Sequence, residues 1–154
     1  MQKDYEGLKL KNQLCFPLYA VSREIVSLYT PYLKPFSLTY TQYIAFMVLW
    51  EEQSIKTGML CDILHLDNGT ITPVLKKLEN DGYVVRERKK DDERCVYVTI
   101  TKKGNDLKDK LSDIPFKVGE CIKGIDDEEK KQLYTILYKM LNAKKENLWM
   151  ILMM

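Results

Sequence analysis

The stretch Leu66-Asp67-Asn68-Gly69-Thr70-Ile71-Thr72-Pro73-Val74-Leu75-Lys76-Lys77-Leu78-Glu79-Asn80-Asp81-Gly82 decides the reading of this chain. Asp67 has the short acceptor side chain that caps a helix N-terminus, and Asp81-Gly82 supplies the turn that closes one. Together they predict a helix over Asn68 to Asn80. The period then changes. From Tyr83 to Thr101, Val84, Val96, Val98 and Ile100 alternate with polar neighbours, and the charged turn Lys89-Lys90-Asp91-Asp92-Glu93 divides the run. That is a β-hairpin with a solvated tip, whose alternation turns Cys95 and Tyr97 outward.

Upstream, Lys56 to Leu64 reads as a short helix weakened by Gly58. Thr39 followed by Gln42 is a capping box, opening a helix through Tyr43 to Trp50. Leu14, Leu18, Val21, Ile25 and Leu28 recur at spacings of three and four, so a first amphipathic helix runs to about Tyr32. Pro31 and Pro35 end it, and Pro17 lies near its start. Downstream, one helix from about Thr101 to Gly124 is bent by Pro115. A last helix opens at the Asp126/Glu129 capping box and carries Leu133, Ile136, Leu137, Met140 and Leu141.

The 154 residues suffice for one domain with a real core, with 45% apolar and 30% charged residues. The net charge of +2 says nothing for or against nucleic acid, so any basic surface is local. Met1 to Lys11 mixes charges with apolar residues and lacks a signal peptide's apolar core, so none is expected, and no run reaches the roughly 20 apolar residues of a membrane span. The apolar tail Leu148 to Met154 is far too short and has no assigned role. A cytoplasmic protein is expected. The cysteines Cys15, Cys61, Cys95 and Cys121 form no CxxC pair, and His65 is the single histidine. A zinc site is therefore not expected, and the pattern calls for no cofactor.

Two short helices followed by a charged-tipped hairpin are the parts of a winged helix-turn-helix, giving a mainly α fold with a small β-wing. A helix that reads the major groove needs short polar residues near its N-terminus, which Asn68, Thr70 and Thr72 supply. Basic residues must flank it to meet phosphates: Lys76, Lys77, Arg86, Arg88, Lys89, Lys90 and Arg94. By composition alone these charges read equally well as a solvated face.

The opening stretch, with Gly82-Tyr83-Val84 and Asp92-Glu93-Arg94, resembles the DNA-reading half of the MarR family of dimeric repressors. Across nearly the whole chain the sequence is similar to the organic-hydroperoxide-sensing (OhrR-type) branch. That similarity includes Leu14-Cys15-Phe16-Pro17-Leu18-Tyr19-Ala20 and Leu38-Thr39-Tyr40-Thr41-Gln42-Tyr43. The departures are Gly58, where the family has a better helix former, and Cys95, where a small polar residue is usual. The resemblance implies that Asn68 to Asn80 enters the major groove and that Arg94, oriented by Asp92, reaches the minor groove. It also implies a pseudo-palindromic double-stranded operator, a homodimer built from residues 1–36 and 102–154, and a DNA-binding region over 39–101.

Read bare, Cys15 is either a small buried hydrophobe or a thiol activated near a helix start. The resemblance selects the second and implies redox sensing by Cys15, with Tyr29 and Tyr40 as hydrogen-bond partners. Tyr29 lies roughly 21 Å further along a straight helix, at about 1.5 Å per residue. Any contact with Cys15 must therefore come from the partner subunit's Tyr29, whereas Tyr19 is one turn away within the chain. Cys121 resembles, in its separation from Cys15, the resolving cysteine of two-cysteine members; without it, a low-molecular-weight thiol would be needed. Cys61 reads as packing and His65 as structural. The expected function is repression relieved by oxidation of Cys15. The alternatives are a repressor released by a small phenolic or aromatic ligand, with Cys15 structural, a thiol peroxidase, and a winged helix that binds protein instead of DNA. No acid/base partner beside Cys15 supports an enzyme.

Overall fold

The computed structural model describes the backbone of residues 5–89 and 92–152, and the side chains of residues 5–88 and 95–143. Two short 3₁₀ turns precede α1 (Cys15–Leu33). There follow α2 (Tyr40–Glu52), β1 (Ser54–Lys56), α3 (Thr57–Leu64), α4 (Asn68–Asn80), β2 (Val84–Lys89) and β3 (Asp92–Ile100). The helices α5 (Lys102–Leu111), α6 (Ile114–Cys121) and α7 (Asp127–Leu152) complete the chain. The protein is mostly helical, with one small antiparallel sheet in the order β1-β3-β2. It divides after Val118 into two compact units.

In the first unit the expected caps are in place. Thr39 and Gln42 exchange side-chain and backbone hydrogen bonds at the start of α2. Asp67 caps α4 by accepting from the Thr70 amide at 2.8 Å, and Gly82, at φ 77°, turns the chain out of it. Four aligned orphan N–H groups at each helix start make such acceptors worth about 1 kcal/mol each. Hydrophobic burial then joins the elements. Phe46, Leu49, Leu60, Ile71, Leu75, Leu78, Val84, Val98 and Leu111 form one core beneath α2, α3, α4, α5 and the sheet. The α5 helix is pinned to α2 by two buried donors: Trp50 Nε1 gives to the Gly104 carbonyl at 3.0 Å and Tyr43 Oη to the Leu111 carbonyl at 3.1 Å.

Four details correct the sequence reading. Pro31 does not end α1 but sits inside its last turn; the helix stops at Leu33, and Ser37, in the left-handed region at φ 54°, redirects the chain. Lys56, expected in a helix, belongs to β1, a strand that pairs Ile55 with Val98. Pro115 does not bend one long helix, because α5 ends at Leu111 and Pro115 is the second residue of α6. There its missing N–H has no partner to lose. Gly58 costs α3 little, since it lies in the first turn, where a Cβ would meet nothing within 4 Å.

The hairpin register runs from Val84 opposite Ile100 to Arg88 opposite Val96, with a slip before Lys89 pairs with Asp92. Val98 and Ile100 are buried in the core, but Val96, expected to face inward with them, is half-exposed like Cys95 and Tyr97, because it lies nearer the hairpin tip. The second unit is dominated by α7, opened by the Asp126/Glu129 box in both directions at 2.8 Å. Along α7, Leu133, Ile136, Leu137, Met140 and Leu141 are exposed, and the Tyr134 and Tyr138 rings meet, tilted by 38°, with centroids 4.5 Å apart. The side chains of the tail Leu148 to Met154 lie outside the described residues.

Candidate nucleic-acid interface and thiol site

The first turn of α4 is exposed and its polar groups are oriented by the chain itself. Thr70 Oγ1 donates to Asp67 Oδ2 at 3.0 Å, and Thr72 Oγ1 donates to the Asn68 carbonyl at 2.6 Å. Both hydroxyls therefore keep lone pairs, but no proton, for an outside partner. Asn68 is the first residue of α4, and its Oδ1 accepts from Cys61 Sγ at 3.4 Å. Asp67 is held below the usual carboxylate range by the hydrogen bonds from the Thr70 amide and hydroxyl, so the cap stays ionised at neutral pH. Between them, a Cβ on Gly69 would sit 3.0 Å from Asp67 Oδ1, so a side chain there would press on the cap.

The flanking cations differ in their engagement. Lys76 is exposed, while Lys77 pairs with Asp81 at 2.9 Å. Arg86 is half-buried against Glu79: its amide and Nε donate to the two carboxylate oxygens at 3.0 and 2.9 Å, and its terminal nitrogen lies 2.8 Å from Oε2. That fork ties the last turn of α4 to the base of the wing and lowers the ionisation range of Glu79. Arg88 is exposed on β2. Lys90 and the side chains of Lys89, Asp92 and Arg94 lie outside the described residues.

The thiols occupy distinct settings. Cys15 is exposed in the first turn of α1, where the helix N-terminus favours a negative charge. Cys121, in the last turn of α6, is also exposed. Cys61 is buried, and desolvation, followed by the charges of Asp62 and Asp67, pushes its thiol up. His65 sits in the left-handed region at φ 52° and ends α3, a backbone role consistent with a structural residue.

The three tyrosines are not gathered on one spot. Tyr29 and Tyr40 meet with ring centroids 4.8 Å apart, whereas Tyr19 stands exposed near the other end of α1 beneath the Arg23 guanidinium at 5.3 Å. Because α1 is continuous from Cys15 to Leu33, Tyr29 and Cys15 of one chain are held apart on one rod. The sequence reading missed Tyr43, whose ring lies 5.8 Å from Tyr29. Burial, then the charges of Tyr29, Asp113 and Tyr40, pushes its phenol up to about 12. Tyr29 and Tyr40 are raised too, chiefly by burial. All three phenols therefore remain protonated donors through the physiological range. Among the described residues, no three His, Cys, Asp or Glu side chains are gathered for a metal ion, and no helix is long and apolar enough to cross a membrane.

Comparison with known proteins agrees with this geometry. Residues 27–111 match the family model described as "Transcriptional regulator SarA/Rot". An organic hydroperoxide resistance transcriptional regulator of Bacillus subtilis (strain 168) is 41% identical over 143 residues, covering 93% of this chain and 97% of the relative. Reduced AbfR bound to DNA, a protein of Staphylococcus epidermidis, is 34% identical, with a TM-score of 0.73 over 90% of this chain and 95% of its own. Disulfide-formed AbfR superposes less well, with a TM-score of 0.58 at 32% identity over 93% and 94% of the two chains. With the helix-turn-helix and wing in place and this likeness running end to end, the chain belongs to the MarR family of winged-helix transcriptional regulators, in its organic-hydroperoxide-sensing branch.

Proposed function

We propose that the protein is a cytoplasmic, homodimeric transcriptional repressor that releases a pseudo-palindromic operator when an organic hydroperoxide oxidises Cys15. The observation that carries this reading is the pairing of an exposed thiol in the first turn of α1 with an exposed, pre-oriented polar turn on α4. The greater likeness to the DNA-bound relatives, reduced and overoxidised alike, than to the disulfide form supports its DNA-binding half.

In the repressing state α4 lies in the major groove. Asn68, Thr70 and Thr72 face base edges, while Lys76, Lys77, Arg88, Lys89 and Lys90 meet phosphates. Arg94, oriented by Asp92, enters the minor groove. Arg86 contributes by holding the wing to α4. The domain division follows: residues 39–101 bind DNA, and residues 1–36 and 102–154 dimerise.

Oxidation begins when the Cys15 thiolate attacks the distal peroxide oxygen, leaving a sulfenic acid and an alkoxide that takes up a proton as the alcohol. The phenols of Tyr19 and of the partner subunit's Tyr29 and Tyr40 donate hydrogen bonds around that sulfur. The Cys121 thiol, or a low-molecular-weight thiol, then condenses with the sulfenic acid, forming a disulfide and water. Because two subunits build each sensor, a local change at sulfur moves both DNA-reading heads. The protein reacts about once per site and is reset by thiol, a switch and not an enzyme.

The test is binding of the reduced protein to duplex from its own upstream region, with one equivalent of organic hydroperoxide added. Release by the wild type, recovery with thiol and indifference of Cys15→Ser are expected. A Cys15→Ser protein that is still released would overturn the sensor, and binding whose affinity ignores salt would overturn the DNA-binding reading.

A further inference from the structure

The first turn of α4 has a fixed donor and acceptor polarity. The hydroxyl protons of Thr70 and Thr72 are spent within the chain, so outward they offer acceptors. Asn68 is the opposite case. Its carbonyl oxygen is turned inward to the thiol of Cys61 at 3.4 Å, which leaves the amide Nδ2, with two donors, facing out. Cys61 is buried in the core between α3 and α4 and does not itself reach the surface. Desolvation, first among the causes, pushes its ionisation up, and in this contact the S–H is the donor.

We infer that Cys61 is a positioning residue for base recognition: by holding the Asn68 oxygen inward, it makes Asn68 a donor that selects guanine and discriminates against adenine. Asparagine reads adenine by using both ends of its amide, accepting from N6 and donating to N7. An oxygen held toward Cys61 is turned away from N6. Guanine presents acceptors only, O6 and N7, along the same edge, and the outward Nδ2 matches them. Cys61 thus acts through Asn68, not as simple packing. The inference rests on the reading that α4 enters the major groove.

The experiment measures the affinity of the full-length reduced dimer for its operator and for every single-base-pair substitution of one half-site. Wild type, Cys61→Ala, Cys61→Ser and Asn68→Ala are compared, with non-specific duplex and thermal unfolding as controls. The base pair set by Asn68 is the one at which Asn68→Ala flattens discrimination. There the wild type prefers guanine to adenine. Cys61→Ala narrows that preference by about fivefold, the equivalent of one net hydrogen bond, while affinity for non-specific duplex is unchanged. Cys61→Ser, which keeps a donor, restores it. A wild type that prefers adenine at this pair overturns the inference without any Cys61 variant. Discrimination kept in Cys61→Ala but lost in Asn68→Ala overturns it while leaving the major-groove reading intact. If Asn68→Ala alters no position, Asn68 reads no base and the inference falls, while the major-groove reading still stands on Thr70 and Thr72.

Discussion

The DNA-reading head and the long helices use similar residues to opposite ends. In the head, Phe46 and Leu49 are wholly buried, and Trp50, Tyr43, Thr70 and Arg86 each have a named partner. Just before α1 Leu14 is 71% exposed, on α1 Tyr19 is 61% exposed, and on α7 the stripe from Leu133 to Leu141 is open along its length. Exposed apolar surface of that extent marks a face meant for another surface. The head is thus complete as one copy, whereas the flanking helices are half of something. Under the proposed mechanism a regulator would benefit from that division, because its reading surface keeps its shape while the helices that carry Cys15 and its partners repack.

The largest expected effect breaks the completeness of the head. Gly104 lies where α5 meets the sheet, and a Cβ there would stand 2.5 Å from the Tyr83 carbonyl oxygen and 2.7 Å from Ile100 Cγ1. Backbone cannot yield as a flexible side chain does, so Gly104→Ala should cost about 3 kcal/mol and lower the unfolding midpoint by many degrees. An alanine variant that melts with the wild type would show that this joint is looser than drawn. The converse experiment belongs to α7. Ile136→Glu with Met140→Glu places two carboxylates on the open stripe, so sedimentation should shift from dimer to monomer and operator affinity fall more than tenfold. A dimer that survives both charges would move the interface off this face.

How much of this was legible depends on the kind of signal. The head was readable because its turns are written in side chains with one job: Asp67 and Thr39 cap, Gly82 reverses, and Val98 and Ile100 alternate. What escaped depends on neighbours distant in sequence. β1 has three residues, too few to show a period, and exists because β3 offers an edge where Ser54 Oγ meets Thr99 Oγ1 at 2.8 Å. Pro115 is compatible with a bend or a new start, since both spare a missing N–H, and only the end of α5 at Leu111 decides. Pro31 was misjudged for a related reason, because one unfilled hydrogen bond in a last turn costs less than ending the helix there. At the site, Asn68 and Cys61 could each be named. Their contact, and that of Arg86 with Glu79, could not be, because neither follows from a spacing rule.

Alkali sharpens the comparison next. Tyr43 ionises at about 12 in the folded head, against an ordinary value of 10.0. A phenol whose ionisation is raised by folding contributes stability that is full below pH 10 and is lost as pH climbs through the interval to 12. The wild type should lose stability across that window, and Tyr43→Phe, already without the hydrogen bond to Leu111, should lose much less. An absorbance titration in which every tyrosine of the folded protein ionises together near 10 would contradict it.

The smallest effect separates the regions most cleanly, because both begin a helix with the same device. Thr39 with Gln42 opens α2 and Asp126 with Glu129 opens α7, each by reciprocal hydrogen bonds. The local chemistry is alike, but α2 is packed into the core whereas the start of α7 is open to solvent. Thr39→Ala should therefore lower the cooperative unfolding of the head by about 1 kcal/mol, the usual worth of a cap. Asp126→Ala should leave that transition in place and show instead as faster amide exchange in the first turn of α7. If the two variants shift one common transition equally, then head and helices unfold together, and the contrast between a finished head and unfinished helices is one of surface only.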